Sequence, residues 1–231
     1  NDNLTNRYQG VQFGYTSAGR YTSWNDIWSY PGYKERDILP GDYKYEDWNG
    51  DGEINGQDEH PFAFDQTPWL QFSLNAGLQW KNLDFNMLLQ GSALGSMEYK
   101  EPLHEIWGKN GGGALTQFLD RWHPVDPKAD PYDPSTVWTS GHYAYTGRWA
   151  KNNSAFNRVS TAYLRLKSIE LGYTFPKLKQ IPNASLRIYA NAYNLLTFTG
   201  VKFVDPEHPD DDLGRMYPLN KTYTLGVSLS F

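Results

Sequence analysis

Several stretches of the chain alternate apolar and polar residues with period two, the signature of strands that are oily on one face only. In the clearest, Leu70, Phe72, Leu74, Ala76, Leu78 and Trp80 alternate with Gln71, Ser73, Asn75, Gly77 and Gln79. Lys81-Asn82 interrupts, and Leu83, Phe85, Met87 and Leu89 resume, which predicts a tight hairpin. A second hairpin is predicted from Ile169, Leu171, Tyr173 and Phe175 and, after a turn from Pro176 to Ser185, from Leu186, Ile188, Ala190 and Ala192. Upstream of it the phase inverts, with Leu164 and Leu166 apolar and Arg165 and Lys167 polar, so a β-bulge is expected near Lys167-Ser168. From Thr222 to Phe231, Tyr223, Leu225, Val227, Leu229 and Phe231 alternate with small or polar residues, and the terminal Phe belongs to the pattern. Residues from about Val11 to Tyr21 are one more candidate strand.

Ten steps of about 3.3 Å, tilted by roughly 40°, give the Leu70–Trp80 strand an apolar band of about 25 Å, the height of an outer-membrane barrel's lipid belt. The connections alternate between short and long: Lys81-Asn82, then about Ser92 to Thr161, then Pro176 to Ser185, then Gly200 to Lys221. An up-and-down meander sorts such loops to opposite rims, and the last strand then places Phe231 on the periplasmic side. Pro124, Pro127, Pro131 and Pro134 exclude a continuous helix or central strand from the longest loop, although Leu115, Phe118 and Trp122 predict a short helix over Ala114 to Trp122. The expected fold is all-β: about six C-terminal strands of a large antiparallel transmembrane barrel, because the smallest closed barrels need about eight. Extracellular loops are expected at 38–66 and 92–161. No apolar run approaches the ~18 residues of a spanning helix. Asn1 to Arg7 are polar, so a mature form or a fragment is expected.

Composition fits this picture. Mean hydropathy is -0.69, yet the chain holds 9 Trp, 17 Tyr and 11 Phe, as a barrel with a polar lumen, wet loops and aromatic girdles would. A net charge of -5 without a Lys/Arg run argues against nucleic acid as a partner. The absence of cysteine removes disulfides and thiolate metal sites.

The segment Asp47-Trp48-Asn49-Gly50-Asp51-Gly52-Glu53-Ile54-Asn55-Gly56-Gln57-Asp58 follows the EF-hand loop pattern. Asp47, Asn49 and Asp51 would converge on one hard cation, Glu53 would give its backbone carbonyl, Asn55 would ligate directly or through water, and Asp58 would close the sphere. Asp58 stands where EF-hands have Glu, and its shorter side chain weakens the expected Ca²⁺ affinity. A structural Ca²⁺ clip in an extracellular loop is the favoured reading; an Asp/Asn/Gly turn without metal is the alternative.

No phosphate loop, nucleophile elbow or His pair at metal-binding spacing occurs, so no enzyme is expected. Asp205, Glu207, Asp210, Asp211 and Asp212 read as a solvated acidic tip of a polar loop punctuated by Pro206 and Pro209, rather than as an acid/base pair or second cation site. The aromatic stretch Trp138 to Trp149 reads as loop packing, with sugar stacking the alternative.

Several separated motifs carry a resemblance. Pro40 to Tyr45 leading into Asp47 to Asp58, Tyr163 to Lys167 with Leu171-Gly172-Tyr173, Asn194 to Thr199 with Asp205-Pro206-Glu207, and Tyr217-Pro218-Leu219 with Thr222 to Phe231 resemble the C-terminal region of SusC/RagA-type TonB-linked transporters. The resemblance runs from about residue 38 to the end. It implies the closing part of a plugged outer-membrane barrel of about 22 strands. It also implies a SusD-like lipoprotein lid, coupling to the TonB complex through an N-terminal part missing from this chain, and active import of glycans or, less often, peptides in Bacteroidota. Gln71, Asn75, Gln79, Arg187, Tyr189 and Asn191 would then face the lumen or plug. The alternative is a secreted, soluble, Ca²⁺-stabilised β-domain that binds glycans.

Overall fold

The period-two stretches become five long antiparallel strands: β1 (Leu70–Trp80), β2 (Leu83–Ala93), β3 (Tyr163–Phe175), β4 (Ser185–Thr199) and β5 (Thr222–Ser230). The computed structural model describes residues 6–32, 38–100, 103–104, 114–145, 153–176, 184–207, 216–217 and 219–231. The five strands form one sheet in the order β5-β4-β3-β2-β1, each beside its neighbour in sequence. The β1–β2 turn is the predicted two-residue one, pairing Trp80 with Leu83, and Lys81 takes the left-handed φ of 54° that so short a connection requires. Most of the predicted turn at Pro176 to Ser185 lies outside the described residues.

The bulge falls where the phase inverts. Both ladders of β3 shift register between Leu166 and Ser168: against β2 Lys167 is the extra residue, while against β4 it faces two residues, Asn194 and Leu195. Tyr163 and Arg165 therefore share a face with Ser168, Glu170 and Gly172 despite the change from odd to even numbering.

The sheet has one polar and one apolar face, and the apolar face is open. Leu74 is 58% exposed and Leu225 77%, with Leu78, Leu171 and Val227 similarly bare. Soluble monomers rarely expose contiguous apolar patches of more than a few hundred Å². Where Gly91 opens a gap on this face, its cross-strand partner Phe72 lies over it, and a Cβ on Gly91 would sit 2.4 Å from the Phe72 ring.

The chain divides into two compact units, of which the sheet is the second: Thr67–Gly95, Ser160–Glu207 and Tyr217–Phe231. The first comprises Asn1–Gln66, Ser96–Val159 and His208–Met216, so the stretches expected as extracellular loops supply most of it. It is built from short ladders. Gln12–Gly14 pairs with His60–Ala63, Ser17–Arg20 with Tyr43–Tyr45, and His123–Pro124 with Trp138–Thr139. The candidate strand at Val11 to Tyr21 is thus two short strands of this unit, and the long sheet has five strands rather than about six. The helix expected over Ala114 to Trp122 contracts to a 3-10 turn, Thr116–Leu119, with Phe118 buried and Leu115 exposed.

Candidate functional site

The acidic loop is organised by its own side chains. Asp47 accepts from the Gly50 amide at 2.7 Å and the Gly52 amide at 2.9 Å. Asn49 Oδ1 accepts from the Asp51 amide at 2.9 Å, Asp51 Oδ1 from the Glu53 amide at 2.8 Å, and Asn55 Oδ1 from the Gln57 amide at 2.8 Å. Each is an Asx turn, the local bond that short Asp and Asn side chains make to backbone two or more residues on. Gly50 and Gly52 take left-handed φ of 74° and 84°, which lets the chain wind this tightly. Ile54 is the loop's hydrophobic anchor, buried with Tyr15 and Tyr45. Burial, then a hydrogen bond to Glu59, pushes the Tyr15 hydroxyl well above its ordinary pKa.

Asp58 does something the motif does not reveal. It is fully buried, and its Oδ1 accepts from the amides of Trp48 at 3.0 Å and Asn49 at 3.4 Å, while Oδ2 accepts from Asn55 at 2.8 Å. The residue latches both ends of the loop and completes a capping box with Asn55 on the 3-10 turn Gly56–Asp58. Just beyond, His60 donates from Nδ1 to the Asp58 carbonyl, 2.9 Å away, and its ring stacks on Trp48 with centroids 3.7 Å apart. Among the described residues no three His, Cys, Asp or Glu side chains converge as a metal centre gathers them, so any cation here depends on Asn49, Asn55 and backbone oxygens as well as carboxylates.

The polar sheet face carries two charge networks. Arg187 on β4 reaches past β3 to Asp84 on β2 and donates to Glu170 at 2.7 Å, and Asn191 donates to the same Glu170 at 3.3 Å. The residues expected to line a lumen, Gln71, Asn75, Gln79, Arg187, Tyr189 and Asn191, all lie on this face by register. Arg165 is 1% exposed and donates to Asp205 and Glu207, each at 2.5 Å, and to Thr197 at 3.0 Å; Tyr163 donates to Glu207 at 2.8 Å.

The second network corrects the reading of the acidic segment. Asp205 and Glu207 keep part of their solvent contact but are not a free tip: both pair with the buried Arg165 and so clamp the loop after β4 onto the sheet. The signal was an arginine in a strand with no local carboxylate, whose partners lie 40 and 42 residues away. Asp210, Asp211 and Asp212 lie outside the described residues.

No family model matches the chain. TonB-dependent receptor P3 of Formosa agariphila is 28% identical over 211 residues, covering 84% of this chain and 19% of the relative. TonB-dependent receptor P26 of the same organism is 27% identical over 239 residues, 97% of this chain and 22% of the relative. The chain therefore spans about a fifth of the length of the curated relatives it matches. Among solved structures, the RagAB peptide transporter superposes with a TM-score of 0.61 at 21% identity, over 96% of this chain and 22% of the other. The RagAB peptide importer in the 'closed-closed' state gives 0.59 at 18% identity, over 96% and 23%. The chain is therefore similar over most of its length to TonB-dependent receptors and has the fold of part of the RagAB transporter.

Proposed function

We propose that this chain forms barrel wall and outer loops of a TonB-dependent transporter that imports glycan or peptide oligomers across the outer membrane, working with a SusD-like lipoprotein lid. The open apolar face of the five-stranded sheet carries this reading. A face with Leu74, Leu171 and Leu225 bare to solvent is stable when lipid tails cover it. The opposite face, with its amides and its Arg187 and Arg165 networks, then lines the interior, where water or a plug completes the polar contacts. Import would be driven by TonB acting on a part of the protein outside this chain; the wall resists that pull and the loops meet substrate and lid. The relatives are named as receptors and transporters, which supports a non-enzymatic role.

The acidic loop is proposed as a structural Ca²⁺ clip. Its donors are oxygens throughout, which suits a hard cation, and the Asx turns hold Asp47, Asn49 and Asp51 on one winding. Asp58 already serves three amides, so its part is to brace the loop, with Oδ2 the oxygen left with capacity for a metal or water. An affinity in the range of extracellular modules, about 10⁻⁴–10⁻³ M, is expected.

The test uses native outer-membrane fractions probed with an antibody to this segment, on gels run with and without boiling. A band roughly five times the 26.5 kDa of this chain that shifts on heating supports the transporter. A soluble, unshifted 26.5 kDa band overturns it in favour of a Ca²⁺-stabilised binding domain.

A further inference from the structure

We infer that Asn55-Gly56 in the acidic loop is a site of spontaneous, non-enzymatic deamidation, while Asn49-Gly50 in the same loop is protected from it. The inference stands on the loop's own hydrogen bonds and needs neither a bound cation nor the import reading.

An asparagine deamidates when the main-chain nitrogen that follows it attacks its side-chain carbonyl carbon. Glycine permits this attack best, because it places no Cβ beside the nucleophile. The acidic loop carries the dipeptide twice, at 49–50 and at 55–56. Both asparagines are turned toward the reaction in the same way: Asn49 Oδ1 accepts from the Asp51 amide at 2.9 Å, and Asn55 Oδ1 from the Gln57 amide at 2.8 Å. Such a turn lays the side-chain carboxamide along the following peptide, and the donating amide stabilises the oxyanion of the tetrahedral intermediate.

The two sites differ in how the reacting nitrogens are held. At 49–50 the nucleophile is occupied: the Gly50 amide donates to Asp47 at 2.7 Å, and that carboxylate's charge opposes loss of the amide proton to hydroxide. The leaving nitrogen is held as well, since Asn49 Nδ2 donates to Asp51 at 2.9 Å and to Gln57 at 3.3 Å. At 55–56 Gly56 is exposed, and neither its amide nor Asn55 Nδ2 has an acceptor among the described residues. One loop thus holds a restrained and an unrestrained copy of the same reactive pair.

The step needs only water. The Gly56 nitrogen bonds to Asn55 Cγ as the Cγ–Nδ2 bond breaks, and the proton lost from the Gly56 amide leaves with ammonia. Water then opens the succinimide to aspartate or isoaspartate at position 55. Isoaspartate routes the main chain through the former side chain and adds a methylene to it. That shifts Gly56–Asp58 and parts the buried Asp58 carboxylate from the Asn55 amide, which it now holds at 2.8 Å.

The experiment ages the full-length protein in detergent and chelator at mildly alkaline pH, native and in guanidinium. Loop peptides are then read by mass spectrometry with electron-transfer fragmentation, which separates isoaspartate from aspartate. In the native protein Asn55 is expected to convert more than about tenfold faster than Asn49, and in denaturant, without the hydrogen bonds, the two should convert at comparable rates. Gly56→Ala adds a Cβ where nothing lies within 4 Å, so it should leave the heat-shift midpoint unchanged while slowing conversion at Asn55 by about tenfold. Native conversion at Asn49 that matches or exceeds that at Asn55, no native conversion at Asn55, or a Gly56→Ala variant that ages like the wild type would each overturn the site. If Gly56→Ala lowers the midpoint, the comparison of native with denatured wild type decides.

Discussion

Arg187 reaches Asp84 across an intervening strand, and Gly172 is what lets it pass. Asp84 stands opposite Gly172 on one side, and on the other side β4 carries Arg187 one diagonal step from it. A Cβ on Gly172 would lie 2.5 Å from Arg187 Nη2 and 2.6 Å from Asp84 Oδ2. The crowded atoms are ends of flexible, partly exposed side chains, so Gly172→Ala is expected to part the Arg187–Asp84 contact at a cost of under about 1 kcal/mol. The check is a double-mutant cycle on the heat-shift midpoint: adding Asp84→Ala should recover part of the loss, because it removes the crowded partner.

Lipid exposure separates neighbours in one strand. Leu74→Arg puts a charge on the apolar face and should cost about 2–4 kcal/mol and reduce insertion into the outer membrane. Asn75→Arg, one residue on and on the polar face, should insert normally. Quantifying the heat-shifted band in membrane fractions compares the two; equal insertion would mean that the face does not meet lipid.

Removing Arg165 leaves Asp205 and Glu207 without their counter-charge. Arg165→Met should cost about 2–4 kcal/mol, somewhat below the ~3–5 of a fully enclosed pair because the carboxylates keep part of their contact with water. The loop after β4 should loosen first, so amide exchange at 201–207 is expected to quicken before the strands themselves change.

The acidic loop offers two separable losses. Asp51→Ala should abolish the rise in melting temperature on adding millimolar Ca²⁺. Asp58→Ala should lower the melting temperature in chelator as well, by the equivalent of about 1–3 kcal/mol, since it orphans buried amides whether or not a cation is present. Trp48, stacked on His60 beside this latch, gives a fluorescence signal for both experiments.

Acid should weaken the Asp26–Lys44 contact in the first unit. A hydrogen bond from the Lys44 ammonium at 2.6 Å holds the Asp26 carboxyl below its ordinary 3.8. A depressed carboxyl contributes its full stability above pH 3.8 and loses it as the pH falls through the lower folded value. The contribution of such a partly exposed pair is under about 1 kcal/mol, so the acid limb of a melting curve for Lys44→Met should run only slightly flatter than that of the wild type.

Local periodicity made the sheet legible. Leu70 to Met87 alternates on both sides of the Lys81-Asn82 turn, and the inversion at Lys167 announced its own bulge because an extra residue is the cheapest way to restore facing. Beyond Tyr193 the pattern was harder to follow: Asn194 sits at a left-handed φ of 53° and Leu195-Leu196 breaks the alternation, yet β4 continues to Thr199. The Arg165 clamp left only one trace, a strand arginine without a local carboxylate; its partners were not legible because the contact is tertiary, each being plausible alone as a loop acid. The acidic loop's motif was plain, while the latching role of Asp58 depended on which amides its folding brought near. Phe118 and Trp122 were read as one helical face; both are buried, but on a 3-10 turn and the residue before a short ladder.

The bulge at Lys167 works as punctuation within β3. Deleting that one residue would give a more regular strand on paper, with continuous pairing to β2. It would also turn everything upstream of it inside out, sending Tyr163 and Arg165 into the hydrocarbon and Leu164 and Leu166 into the interior, while Asp205 and Glu207 waited on the wrong side for a cation that had left. A strand of this kind has two reading frames joined by a single residue, and the loop docked on one of them depends on that residue being counted.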